Sequence, residues 1–367
     1  MIKKSTFFLI TMLLLSSVLV CAGETLLLSD RDFKSLMPDM SVSINRILDD
    51  GSLLCIGEPG KGKNLSIFII DPQSRKIIKK MPVPSTSIDY MASDEKGDKI
   101  ILFCCQSHTF YLADMSAGTC RVFFKREKGK PGFDLFSNGK SFLTYIDGKA
   151  IAWGYFYDDR LMLEGEYLTE INLSEQGAAA FSKLVSNDEL KKIASQYSKK
   201  VQRLGTIRVN KDFLVFSVID KKISTLVAYS FKDKEHFQLD ASASLMGVTM
   251  ARNASLAACI SRKDEKREGS LYLFNLKDRK IATPGRGKFM NPVFSPDASH
   301  LAVGVAKIGD DRKLGMNISL YSTDSPEKAP RTLTFGKSLY FIDWKFVKGD
   351  SGLILLTGKE VYYYKLR

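Results

Sequence analysis

From residue 24 onward the chain alternates short apolar runs with tight polar turns, and one turn-plus-run unit recurs seven times. The copies are DDGSLLCIG from Asp49, EKGDKIILF from Glu95, SNGKSFLTY from Ser137, VNKDFLVFS from Val209, RNASLAACI from Arg252, PDASHLAVG from Pro296 and GDSGLILLT from Gly349. Their first apolar residues, Leu53, Ile100, Phe142, Phe213, Leu256, Leu301 and Leu353, are spaced by 47, 42, 71, 43, 45 and 52 residues. A near-constant period of this length signals a repeat architecture. After each copy a second apolar run ends in a polar hairpin, as in SIFIIDPQSRKII, TFYLADMSAGTCRVFF and SLYLFNLKDRKIA. Asp, Asn, Gly, Ser and Pro supply the turn chemistry, so each unit reads as four antiparallel strands, A to D. Such sheets repeated radially make a propeller. The expected fold is all-β: a seven-bladed β-propeller of four-stranded antiparallel blades.

Two departures from the period sharpen this picture. The 71-residue interval contains an Ala-, Lys- and Glu-rich stretch, about 173–204, with Phe181, Leu184, Leu190, Ile193, Ala194 and Tyr197 at helical spacing. It predicts one helical insertion between blades three and four. The seventh copy ends on VYYYKL (361–366) with no fourth strand to follow, while TLLLSD (25–30) precedes the first blade unpaired. The N-terminal segment is therefore expected to close the ring as the outer strand of blade seven, covering an edge that would otherwise be exposed.

FSPDASHLAVGVA (294–306) resembles the repeat signature of TolB-type propellers, which are related in shape to WD repeats, and FSNGKSFLTY resembles it less closely. The resemblance lies in the repeat and implies a scaffold placed in the periplasm or outside the cell, or a propeller attached to a catalytic domain. TolB itself carries an extra N-terminal α/β domain and six blades, and neither is implied here.

The first 22 residues fit export. Lys3 and Lys4 precede an apolar run from Phe7 to Val20, and small residues follow at Ala22 and Gly23, the order of a secretory signal peptide. The run is too short for a transmembrane helix. Cleavage after Ala22 leaves 23–367 as a single propeller domain, periplasmic or secreted. Lipid anchoring through Cys21 is the weaker alternative, because Val20 is bulky for that processing site. The five remaining cysteines, Cys55, Cys104, Cys105, Cys120 and Cys259, sit mostly in apolar runs at irregular spacing. They read as buried free thiols more readily than as a disulfide framework.

The chain carries a net charge of +13, or +11 without Lys3 and Lys4. In a four-stranded blade, B–C loops and interblade links lie on one face, and A–B and C–D turns on the other. The loop face collects Lys61, Lys63, Lys125, Arg126, Lys128, Lys130, Arg262, Lys263, Lys266, Arg267, Arg286, Lys288, Lys307, Arg312 and Lys313 against seven carboxylates. The turn face is slightly acidic. The loop face also carries the helical insertion, so it is the expected docking surface for an acidic partner, steered by long-range attraction. Nucleic acid is excluded by export; a protein, an acidic polymer or the envelope surface remains.

Several motifs suggest chemistry but fit turns better. GEPGKGKN (57–64) approaches a phosphate-binding loop, yet Asn64 stands where a hydroxyl belongs and a strand follows. GDSG (349–352) echoes a serine-protease nucleophile but falls on an A–B turn in register with six others. The TolB-like propellers that cleave acidic polysaccharide gather histidines near the channel. Here His108, His236 and His300 fall on separate loops and strands and cannot converge on one ion. No metal and no cofactor is expected, although Asp310 and Asp311 leave a calcium site conceivable. The aromatic runs at Trp153–Tyr157 and Tyr362–Tyr364 read as core between blades.

The expectation is a non-catalytic interaction module acting through its basic face. The alternatives are a glycan-active hydrolase or lyase with its site in the central channel, near Asp89, Asp343 and Arg252, or a structural subunit of an envelope complex.

Overall fold

The computed structural model describes residues 24–127, 130–135, 141–146, 148–157, 163–175, 177–198, 201, 203–220, 224–242, 244–262, 268–308, 314–335, 339–347, 351–358 and 360–366. The expected signal peptide lies outside them. Among the described residues no helix is long and apolar enough to cross a membrane.

The chain forms a seven-bladed propeller of antiparallel sheets. Blade one holds strands A (Ser41–Ile47), B (Leu53–Glu58), C (Ser66–Asp71) and D (Lys76–Pro82). Blade two covers 90–125, blade three 132–186, blade four 203–242, blade five 244–287 and blade six 289–333. Blade seven takes its first three strands from Asp343–Phe346, Gly352–Leu356 and Val361–Lys365. Its outer strand is the N-terminal segment Glu24–Leu28, which pairs Glu24 with Tyr364 and Leu28 with Val361. The ring closes as expected.

Sheets stacked around an axis are buried on both faces, so their strands read as continuous apolar runs rather than alternating ones. Strand B of blade one shows the rule. Leu53 and Cys55 pack toward blade seven, whereas Leu54 packs toward blade two. In blade two, Ile100, Leu102 and Cys104 face blade one while Ile101 and Phe103 face blade three. Each of the seven seams holds one apolar cluster. The seam between blades two and three is aromatic, with Phe103, Phe110, Phe124, Phe133 and Phe181 within 4.5–6.3 Å of one another along the chain of ring contacts. Burying such a side chain stabilises the fold by about 1.5–3 kcal/mol. The five cysteines among the described residues are free thiols, three of them buried.

The repeated turns work through side-chain oxygens that accept backbone N–H groups, as Asx turns do. Asp94 accepts from Asp98, Asn210 from Asp212 and Phe213, and Asp297 from Ser299. Gly97 adopts φ +70° in the blade-two turn, where an added Cβ would lie 2.8 Å from Leu48.

Blade three departs from the expected register. Phe142 does not open strand B. Phe142–Ile146 is instead the second half of an interrupted strand A, whose first half is Gly132–Asp134, and both halves pair with strand B at Lys149–Tyr157. The functioning turn lies around Gly148, at φ +80°; the Asn-Gly pair at 138–139 falls in the interruption, outside the described residues. The insertion is also shorter than expected. Phe181 and Leu184 belong to strand D (Phe181–Ser186), and only Asn187–Tyr197 is helical (α2), capped by the Ser186 hydroxyl accepting from Glu189 N. A second helix, α1 (Asp30–Leu36), links blade seven to blade one. Ser29 and Asp32 form its capping box, the sequence signal for it.

Candidate functional site

Those of the sequence-predicted cations that lie among the described residues stand on one side of the ring but are not gathered at one point. Lys61 and Lys63 lie in the B–C loop of blade one, Lys125 and Lys130 at the link from blade two to three, and Arg286 and Lys288 at the link from blade five to six. All six are exposed. Lys130 pairs with Glu127. Lys61, Lys63, Lys125, Arg286 and Lys288 make no ion pair with another described residue. Arg262 ends strand B of blade five at the same face. Lys128, Lys263, Lys266, Arg267, Arg312 and Lys313, with Asp310 and Asp311, lie outside the described residues.

The turn face differs in kind. Five ion pairs form there, Lys79–Asp98, Lys99–Asp114, Arg279–Glu235, Arg252–Glu95 and Lys345–Asp49, beside exposed lysines such as Lys234 and Lys328 that make none with a described residue.

Arg126 is placed otherwise than the sequence suggests. Its side chain is only 14% exposed, lies over the Tyr157 ring and donates from Nε to Asp134 at 2.7 Å. Asp134 is fully buried and also meets His108 Nδ1 at 2.6 Å. Burial raises the Asp134 carboxyl above its ordinary range, outweighing the downward pull of His108 and Arg126. The same node holds Cys105, whose thiol is pushed up to about 12 by burial and by Asp89. Gly154 is required beside it, because an added Cβ would lie 2.4 Å from the Asp134 carbonyl oxygen. These groups pin the B–C loop of blade two and the following link to strand A of blade three. Asp134 was missed from sequence; an acid inside the apolar stretch FDLF was the available signal, since a buried carboxylate needs partners.

The channel wall shows a second pattern that spacing did not reveal. Cations on strand A reach across to carbonyls of the next blade. Arg46 donates to Ser93 O at 2.6 Å, Arg208 to Val248 O at 3.1 Å and Lys345 to Ile47 O at 3.0 Å. Arg252 of blade five meets Glu95 of blade two at 3.1 Å, a pair between non-neighbouring blades that spans the channel mouth. Arg46, Glu95, Arg252, Asp343 and Lys345 line a cavity of about 770 Å³ there. Burial raises the Asp343 carboxyl and lowers Lys345. Asp89, the third acid expected at the channel, accepts from Cys105 N at 2.6 Å instead.

His236 meets the Tyr197 hydroxyl and His300 the Ser299 hydroxyl, so the three histidines stay apart. Among the described residues no group of three or more His, Cys, Asp or Glu side chains is placed to hold a metal ion. GEPGKGKN forms the B–C loop of blade one, followed by a strand. GDSG falls between strands A and B of blade seven, with Gly349 and Asp350 outside the described residues. Trp153 is 3% exposed and packs between blades three and four.

No protein-family model and no curated protein sequence matches this chain. Solved structures do. An oligogalacturonate lyase in complex with manganese overlays 94% of this chain with 93% of its own at TM-score 0.61 and 8% identity. The oligogalacturonate lyase of Vibrio parahaemolyticus does so at TM-score 0.60 and 10% identity, with the same coverage. TolB from Acinetobacter baumannii matches 84% of this chain and 68% of its own at TM-score 0.39 and 14% identity. At these identities the likeness is one of fold.

Proposed function

We propose that this chain is an exported, non-catalytic interaction module that docks an acidic protein or polymer on its loop face. One observation carries the reading: the loop-face cations Lys61, Lys63, Lys125, Arg286 and Lys288 are exposed and have no ion-pair partner among the described residues, whereas turn-face cations such as Lys79, Lys99, Arg252 and Arg279 are held by carboxylates. Unpaired surface cations raise the local concentration of an anionic partner and speed its encounter, an effect that salt screens.

The test is binding of polyglutamate and polygalacturonate at low and high salt. Reversal of Lys61, Lys63, Arg286 and Lys288 to Glu should weaken binding at least tenfold and flatten its salt dependence. Reversal of turn-face Lys234 and Lys328 should not. Equal binding by both variants would end the proposal. The fold overlay with oligogalacturonate lyases favours a second reading, an acidic-glycan lyase or hydrolase working in the channel. Its sign in the same experiment is turnover of polygalacturonate.

A further inference from the structure

A cleft of about 880 Å³ opens at the seam of blades three and four, under α2. Its floor is strand A of blade four (Arg203–Val209), and Phe142, Leu204, Ile207 and Ile219 supply an apolar wall. Three cations line it, Lys191 from α2 and Arg203 and Arg208 from the floor, against one carboxylate, Glu166. Arg203 and Arg208 are five residues apart, so a regular strand would turn them to opposite faces. A bulge between Gly205 and Ile207 adds one residue and turns both arginines toward the blade-five side of the strand, while Leu204 and Ile207 face blade three, so the cleft runs over the inner edge of the strand between them. Gly205 permits it, since an added Cβ would lie 2.6 Å from the Ser217 hydroxyl.

Arg208 is held in place before any ligand arrives. Its Nε donates to Val248 O at 3.1 Å and its Nη1 to Ile207 O at 2.9 Å, which fixes the guanidinium plane. The remaining Nη1 and Nη2 donors meet no acceptor among the described residues. A guanidinium fixed in this way presents the fork that a carboxylate engages through two parallel hydrogen bonds, at reduced entropic cost.

We infer that this cleft receives a short peptide segment of a partner protein, with a carboxylate on the Arg208 fork and apolar side chains against Phe142, Leu204 and Ile207. The inference rests on the docking function proposed above and names the kind of ligand for one site that runs from that face along strand A into the channel. The wall favours peptide over polysaccharide. A sugar chain would set hydroxyls against apolar side chains, and the indole of Trp153, 3% exposed, offers no ring face for stacking. The cations at the two ends of the floor strand stand roughly 16 Å apart. They suit a segment bearing more than one acid.

The experiment uses the mature chain and an array of hexapeptides alternating Asp or Glu with Leu or Phe, each as free acid and as C-terminal amide. Micromolar binders are expected. Lys191→Glu with Arg203→Glu, both exposed, should weaken them at least tenfold without changing the melting temperature. Arg208→Lys, which keeps the charge and loses the fork, should weaken them by a similar factor; because Arg208 also joins blades four and five, its melt is measured alongside. Retained affinity in the amides assigns side-chain carboxylates, and its loss assigns the terminal one; either supports the site. An array without binders, binding indifferent to Lys191→Glu and Arg203→Glu, or competition by trigalacturonate alone overturns the inference. If loop-rim reversal abolishes polyglutamate binding while the cleft variants bind normally, the docking function stands and the cleft assignment falls.

Discussion

Replacing Asp134 with Asn tests whether the node between blades two and three is a structural pin. The substitution keeps the shape and removes the charge. It leaves the Arg126 guanidinium, only 14% exposed, with no carboxylate at its Nε. It also leaves a single amide oxygen where two carboxylate oxygens now serve Arg126 Nε, His108 Nδ1 and Leu135 N. Breaking one side of a buried pair costs about 3–5 kcal/mol, because the surviving charge has lost its water as well as its partner. For a chain of this length that corresponds to a fall in melting temperature of roughly 4–7 °C. Tyr157 beneath Arg126 offsets part of this through the cation–π contact, on the order of 1 kcal/mol. The decisive control is Arg126→Met combined with Asp134→Asn. If the loss comes from an orphaned charge, the double variant should regain about 1–2 kcal/mol over additivity in urea unfolding. A single variant losing less than about 1 kcal/mol, or a strictly additive double, refutes the pin.

Three further outcomes follow from the geometry. Leu28→Ala, at a fully buried site in the closing strand, should cost about 2–5 kcal/mol in chemical unfolding, while Leu26→Ala, 41% exposed on the same strand, should cost under about 1 kcal/mol; equal losses would contradict the closure. Gly154→Ala should cost about 1–3 kcal/mol, since its Cβ must displace the Asp134 backbone, and a neutral melt would mean the strand shifts freely. Asp98 has a carboxyl held below its ordinary 3.8, first by hydrogen bonds from Lys79 and Ser116. A depressed carboxyl stabilises the fold above its unfolded value and loses that contribution as pH falls through the folded one. Asp98→Asn should therefore cost about 0.5–1 kcal/mol at neutral pH and nothing once the folded carboxyl is protonated, as urea midpoints across the acid limb would show; a constant deficit would tell against the ionic origin.

The blade count and the closure were legible because they depend on local chemistry. Turn residues such as Asp94, Asn210 and Asp297 act on their own backbone, and a missing fourth strand is visible at the end of the chain. Blade three was misread for the same reason. Asn138-Gly139 has the composition of a hairpin turn but lies outside the described residues, and only the pairing of Phe142–Ile146 with Lys149–Tyr157 reveals that the turn into strand B lies at Gly148. Phe181 and Leu184 fit a helix by spacing, yet strand D needs a residue buried toward the aromatic seam at Phe181. The loop-face cations were legible as a group from strand order. The inward turn of Arg126 was not, because its partner Asp134 and the ring of Tyr157 come from a different blade. The same holds for Arg46, Arg208 and Lys345, whose acceptors are carbonyls on the next blade and leave no mark in side-chain sequence.

The closing strand also fixes how the molecule can be hung. Strand D of blade seven runs from the turn face to the loop face, so the chain enters the ring at Glu24 on the turn face, and Leu366 departs on that same side, bonded to Ser351. A tether of any kind attached ahead of Glu24, a lipid or a retained leader, would hold the turn face toward the supporting surface. The loop-face cations would then stand about 20 Å away across strands of five to seven residues, more than two Debye lengths at physiological salt. Held that way, the protein presents its loop-face cations to what approaches from beyond the surface, while the turn face looks back at the support.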